Sequence, residues 1–230
     1  MPADRALPAV LLVLTVVSGV VDAASFLGLG HIFTANMTGN VVFIGFAAAG
    51  APGLSVERSG VALAAFAAGA VLAGRMHARM RAGPRNRWAS GAFGIEAALL
   101  LGSAAVAAGS GSDLTDRGTV LYAVIVLTGV AMGMRNATVR KLGVADLTTT
   151  VLTLGIAGLA SDSSLAGGTN PGWSRRAGSV AAMLVGAVLG ACLLRTSLAW
   201  TVGIAGVISA ACALAAWYTV AQVDAGDRAP

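Results

Sequence analysis

Long apolar runs follow one another along this 230-residue chain, and they decide its solvent. They cover residues 8–28, 60–77, 88–109, 119–138, 177–194 and 197–220. Each is close to the roughly 20 residues that one helical crossing of a bilayer needs. The whole chain is 57% hydrophobic and 11% charged, with mean hydropathy +0.81, against about 25% charged residues in a soluble domain. Water would make that apolar surface very costly; a bilayer removes the cost. In lipid every backbone polar group must be satisfied internally. The expected class is therefore an all-α integral membrane protein whose partner is the lipid bilayer.

The net charge of +5 comes mostly from arginine. No nucleic-acid module accompanies it, so it reads as a topology signal and not as a nucleic-acid surface. Cys192 and Cys212 lie in apolar runs without metal-ligand spacing and read as small buried side chains. Small residues such as Gly186 and Gly190, or Ala65 and Gly69, would let helices approach closely, unless they only reflect an Ala- and Gly-rich composition. Asp4 and Arg5 ahead of the apolar stretch from Pro8 to Val21, with Val21-Asp22-Ala23 at its end, sketch a cleavable leader. The match of this segment to a later one favours a retained span.

Two apolar segments, 36–50 and 146–160, are shorter. Fifteen helical residues reach roughly 22 Å, against about 30 Å of hydrocarbon. They are either short crossings or half-helices that enter and leave on one side. With the basic loop Arg75–Arg87 in the cytoplasm, eight crossings put that loop, Arg135, Arg140, Lys141 and Arg195 inside. Six crossings move Arg5, Arg175, Arg176 and Arg228 inside and Arg195 out, which obeys the positive-inside rule better. Six spans plus two re-entrant helices are expected.

A shift of 110 residues aligns 18–47 with 128–157 without a gap. Gly19, Val20, Ala35, Thr38, Val41, Gly45 and Ala47 meet identical residues. A shift of 117 superposes Gly69-Ala70-Val71-Leu72 on Gly186-Ala187-Val188-Leu189. The chain reads as two halves, 1–110 and 111–230, each with three spans and one short helix. An odd number of crossings per half makes them inverted, as in many transporters.

Polar residues stand out against this background. Thr34-Ala35-Asn36-Met37-Thr38-Gly39-Asn40 opens the first short helix. Asn36, Thr38 and Asn40 suit plain capping, or a helix start near the midplane facing a polar solute. Asp146, Thr148 and Thr149 do the same for the second. Asp22 and Glu96 are carboxylates inside apolar helices, functional by default but equally able to form a structural hydrogen bond or ion pair; for Asp22 the partner would be Arg135 or His31. Arg135 and Asn136, followed by Arg140 and Lys141, fit an interfacial anchor or the mouth of a pathway. His31 lacks a second ligand nearby and reads as an interfacial polar residue rather than a metal site. No Walker A loop, HExxH or GxSxG occurs, so neither a cofactor nor a metal is expected and catalytic residues are not assigned.

Ser18-Gly19-Val20-Val21-Asp22-Ala23, Phe33-Thr34-Ala35-Asn36-Met37-Thr38-Gly39-Asn40, Gly133-Met134-Arg135-Asn136-Ala137-Thr138 and Asp146-Leu147-Thr148-Thr149-Thr150 resemble the YoaK family. These are uncharacterised bacterial multi-spanning membrane proteins carrying a domain of unknown function. The resemblance covers nearly the whole chain. It implies about six spans and the bacterial inner membrane, and it carries no substrate or site residues with it.

The residues point first to a channel or secondary transporter for a small polar or anionic solute. Its pathway would use Asp22, Asn36, Thr38, Asn40, Glu96, Arg135, Asn136, Asp146, Thr148 and Thr149. The alternatives are an intramembrane enzyme acting on lipid through Asp22, Glu96 or His31, and a non-transport membrane subunit. A second copy of the chain, in a homo-oligomer, is a further candidate partner.

Overall fold

The computed structural model describes residues 3–80, 85–109, 118–143 and 152–226. These form eight α-helices: α1 Ala3–Gly28, α2 Met37–Ala48, α3 Val56–Met80, α4 Arg85–Ala108, α5 Gly118–Leu142, α6 Leu152–Ser161, α7 Trp173–Leu194 and α8 Leu198–Gly226. One 3-10 turn, Ser164–Ala166, follows α6. Six of the helices are long and apolar enough to cross a membrane, while α2 and α6 are not. Several helices begin a turn before their apolar run. Val56 to Ser59 and Trp173 to Arg176 are polar or interfacial first turns that hydropathy alone does not mark.

Small residues set how the long helices pair. On α7, Gly178 faces Leu12, Gly186 faces Val16 and Gly190 faces Val20, while Gly28 meets Leu194, so α1 and α7 run parallel. Along α3 and α5, Ala65 lies on Gly129 and Phe66 on Gly133, again a parallel pair. A methyl group at Gly69, Gly133 or Gly186 would sit 2.8 Å from a facing backbone carbonyl carbon. Only glycine permits those approaches. Helices α4 and α8 run antiparallel, with Ser90 donating to the Ala213 carbonyl at 2.8 Å and Gly203 facing Ala104.

These contacts fix the path of the chain. Gly30, just past α1, lies against Arg58 at the start of α3. His77 near the end of α3 meets Trp88 at the start of α4, ring centres 4.6 Å apart. Each long helix thus runs opposite to the long helix before it, and the short helices add no crossing. Helix α2 is an excursion that leaves and returns to one end of the bundle.

Two apolar clusters fill the interior. One joins the later part of α1 to the starts of α5 and α8 through Val17, Ile125, Met132 and Val202. The other joins the starts of α1 and α4 to the ends of α5 and α8 through Leu11, Phe93, Leu142 and Ala213. Helix α1 is central, with its apolar window 67% buried, whereas α7 is 17% buried and presents Leu184, Val185, Val188 and Leu189 outward. The protein is a multi-pass all-α membrane protein.

Candidate functional site

The loop between α1 and α2 is built around two buried polar side chains. Asn40, in the first turn of α2, accepts the Phe33 N–H at 2.9 Å and donates to the Phe33 carbonyl. That pairing folds the strand of residues before α2 back onto the helix. Phe26, Phe33 and Phe43 stack around it, with ring centres 5.1–6.0 Å apart. Just behind, Asp22 accepts the Ala35 N–H on Oδ1 at 2.9 Å. The Thr34 and Asn36 amides also face this carboxylate, yet its buried Oδ2 forms no hydrogen bond among the described residues.

Asp22 thereby holds the start of α2 against the last turns of α1. It lies six residues before the end of α1, about 9 Å along the axis. Asn36 is the N-cap residue of α2, but its side chain makes no capping hydrogen bond. The expected role of Asn36 as a side-chain cap is corrected on this point. Asn36 lines the space beyond.

That space is a cavity of about 740 Å³. Asp22, Asn36, Thr38 and Asn136 line it, as does Arg140. Apolar walls come from Val42 and Phe43 of α2, Phe66 and Ala70 of α3, and Met183 of α7. Leu152 and Thr153 at the described start of α6 complete it, so both short helices reach the same cavity. Asp146, Thr148 and Thr149 lie outside the described residues.

Three expected pathway residues sit elsewhere. Asn40 is spent on the Phe33 backbone. Glu96 and Arg135 form a buried ion pair, 0% and 2% exposed, that belongs to the helix core and not to the cavity wall. Arg135 Nε donates to Glu96 Oε2 at 3.0 Å and Nη2 donates to Oε1. Its Nη1 reaches the Leu14 carbonyl at 2.7 Å and Ser18 Oγ at 3.0 Å. Nη2 also donates to Ser209 Oγ at 2.9 Å, and that hydroxyl donates to Glu96 at 2.7 Å. The cluster ties α1, α4, α5 and α8 together, and the bidentate geometry is the strong form of such a pair. Arg135 is therefore Glu96's partner and not the ion-pair partner of Asp22.

His31 is also apart. It is exposed, with φ +60°, and its ring packs edge-on against Phe26 at 5.2 Å. No cluster of three His, Cys, Asp or Glu residues suited to a metal occurs among the described residues.

The cavity walls contain residues that sequence reasoning missed. Phe66, Ala70 and Met183 are apolar in apolar helices, and nothing in their type separates a cavity wall from a lipid-facing surface. Arg140 is not among those missed: with Lys141 it reads from the sequence as an interfacial anchor or the mouth of a pathway.

Residues 10–215 match the family model described as "Protein of unknown function (DUF1275)". The chain is 32% identical over 154 residues to the "UPF0700 transmembrane protein YoaK" of Bacillus subtilis (strain 168), covering 66% of this chain and 64% of that relative. The match thus spans just under two thirds of the relative's length. No solved structure matches. With the family model matched across most of its length, the chain belongs to the DUF1275 family, and it is similar to the transmembrane protein YoaK.

Proposed function

We propose that this protein is a channel or secondary transporter for a small polar or anionic solute, working in the bacterial cytoplasmic membrane. The observation that carries the reading is the cavity where Asp22, Asn36, Thr38 and Asn136 meet at the inner ends of two short helices. Such convergence of interrupted helices is how many transporters build a midplane site. A scaffold would not need a cavity lined by polar residues between its two short helices. An enzyme acting through Asp22, His31 and Glu96 would need them together, whereas Glu96 is locked to Arg135 and His31 lies outside the cavity wall.

An inverted duplication supports the same reading. Positions 110 apart, Val42 and Leu152, and Phe43 and Thr153, line the cavity as pairs. So do Phe66 and Met183, 117 apart. The parallel pairs α1–α7 and α5–α3 are counterparts under these offsets, and Gly19 and Gly129 occupy both crossings. Two halves joined this way can rock against each other about a shared cavity. Arg75, Arg79, Arg87, Arg140, Lys141, Arg175 and Arg176 lie toward one end of the bundle, and Arg58 and Arg195 toward the other. The positive-inside rule places the first end in the cytoplasm.

Purified protein in liposomes tests the function. Solute-driven swelling or tracer uptake above protein-free vesicles is expected, and Asp22→Asn is expected to reduce it at least tenfold. Absence of flux for every solute in a broad polar panel, with the protein folded, would remove transport from consideration.

A further inference from the structure

Resting on the transport reading, we infer that the cavity binds a small zwitterion, its cationic donor on Asp22 and its anionic group toward Arg140 and the start of α2. Among the described residues, the cavity wall carries two ionisable side chains, Asp22 and Arg140, of opposite charge. Asp22 is 4% exposed, with Oδ1 held by the Ala35 N–H and Oδ2 buried without a hydrogen bond among the described residues. A buried acceptor left open is costly, so native structures rarely leave one unused. An ammonium group supplies several N–H donors to such an oxygen.

The complementary groups line the same cavity. The first turn of α2 has no side-chain cap from Asn36, so its amide groups and positive dipole end can meet a carboxylate. Arg140 adds a full positive charge from α5. A simple anion would gain from Arg140 and be repelled by Asp22; a simple cation would meet the reverse. A molecule bearing both charges is favoured by both. The cavity volume of about 740 Å³ falls within the usual range for small-molecule sites.

The test is tracer uptake into liposomes containing the full chain, with L-alanine and L-serine as zwitterions. Acetate, methylammonium and glycerol serve as anion, cation and neutral probes. Zwitterion uptake at least tenfold above the other three is expected. Asp22→Asn and Arg140→Gln should each lower it at least tenfold, and Arg140→Gln should shift the preference toward methylammonium. Uptake confined to acetate, methylammonium or glycerol would overturn the ligand class and leave transport standing. No uptake of any probe by monodisperse protein would overturn both. Arg140 is exposed at a helix end, so Arg140→Gln carries the test if Asp22→Asn does not fold.

Discussion

Asp22 and Glu96 are both carboxylates sealed inside apolar helices, and the bundle treats them in opposite ways. Glu96 is closed on every side, by Arg135 and by Ser209. Asp22 has a hydrogen bond on Oδ1 and none on its buried Oδ2 among the described residues, and it borders a cavity. The first arrangement answers the cost of burying charge with a partner from another helix. The second leaves that cost partly unmet at the place where a solute could meet it. The comparison teaches that a buried acid in a membrane helix need not mark a pathway; what matters is whether its hydrogen-bonding capacity is exhausted.

The largest expected effect lies on the closed side. Glu96→Ala should cost about 3–5 kcal/mol, because Arg135 is left buried without its counter-charge. Loss of monodisperse protein, or a steep fall in thermal stability in detergent, would register it. Replacing Glu96 and Arg135 together by Leu and Met should recover much of that loss. A paired variant as unstable as the single one would show that the cluster does more than neutralise itself.

Next come the helix crossings that frame the cavity. Gly69→Val and Gly186→Val force a side chain onto facing backbone and should each cost about 1–3 kcal/mol. Thermal unfolding of the two variants checks this. If the crossings α3–α5 and α1–α7 are counterparts, the two losses should be similar.

Asn40→Ala should cost about 1–3 kcal/mol by leaving the Phe33 amide and carbonyl unpaired. Asp22→Asn should change thermal stability less than Glu96→Ala does, because the asparagine oxygen can still accept the Ala35 N–H. Its effect belongs in flux. An Asp22→Asn variant as unstable as Glu96→Ala would erase the distinction between the two acids.

The smallest effect is expected at the surface. Arg176 donates to Asp162 at 2.7 Å and holds that carboxyl below its ordinary value of 3.8. Its folded pKa is lowered, so the contribution is present above about pH 4 and fades as the pH falls through the lowered value. Asp162→Asn should lower the melting temperature slightly at neutral pH, and the gap should close in acid.

Run length and charge placement made much of the fold legible in advance. The six spans and two short helices follow from where apolar runs reach, or fail to reach, membrane thickness. The polar residues Asp22, Asn36, Thr38 and Asn136 were legible because each is conspicuous in apolar surroundings. Their division of labour was not. Asn36 and Asn40 look alike in sequence, yet Asn40 clamps the Phe33 backbone and Asn36 lines the cavity. The Glu96–Arg135 pairing joins residues 39 apart directly, with Ser18 and Ser209 beside it, and neither serine differs in sequence from other helical serines. Such pairings depend on which helix faces touch, and that is settled by glycine crossings, not by hydropathy.

The most direct measurement is thiol accessibility in membrane vesicles. Thr38→Cys, in a Cys192→Ser background, places a thiol at the exposed start of α2, while Cys212 is buried in the helix core beside the clusters of α1 and α4. A membrane-impermeant maleimide should label the Thr38→Cys protein readily, with Cys212 unreactive until the protein is denatured. If the thiol at position 38 is no more reactive than Cys212 from either face of the membrane, the cavity is not a water-accessible path and the account of α2 is wrong.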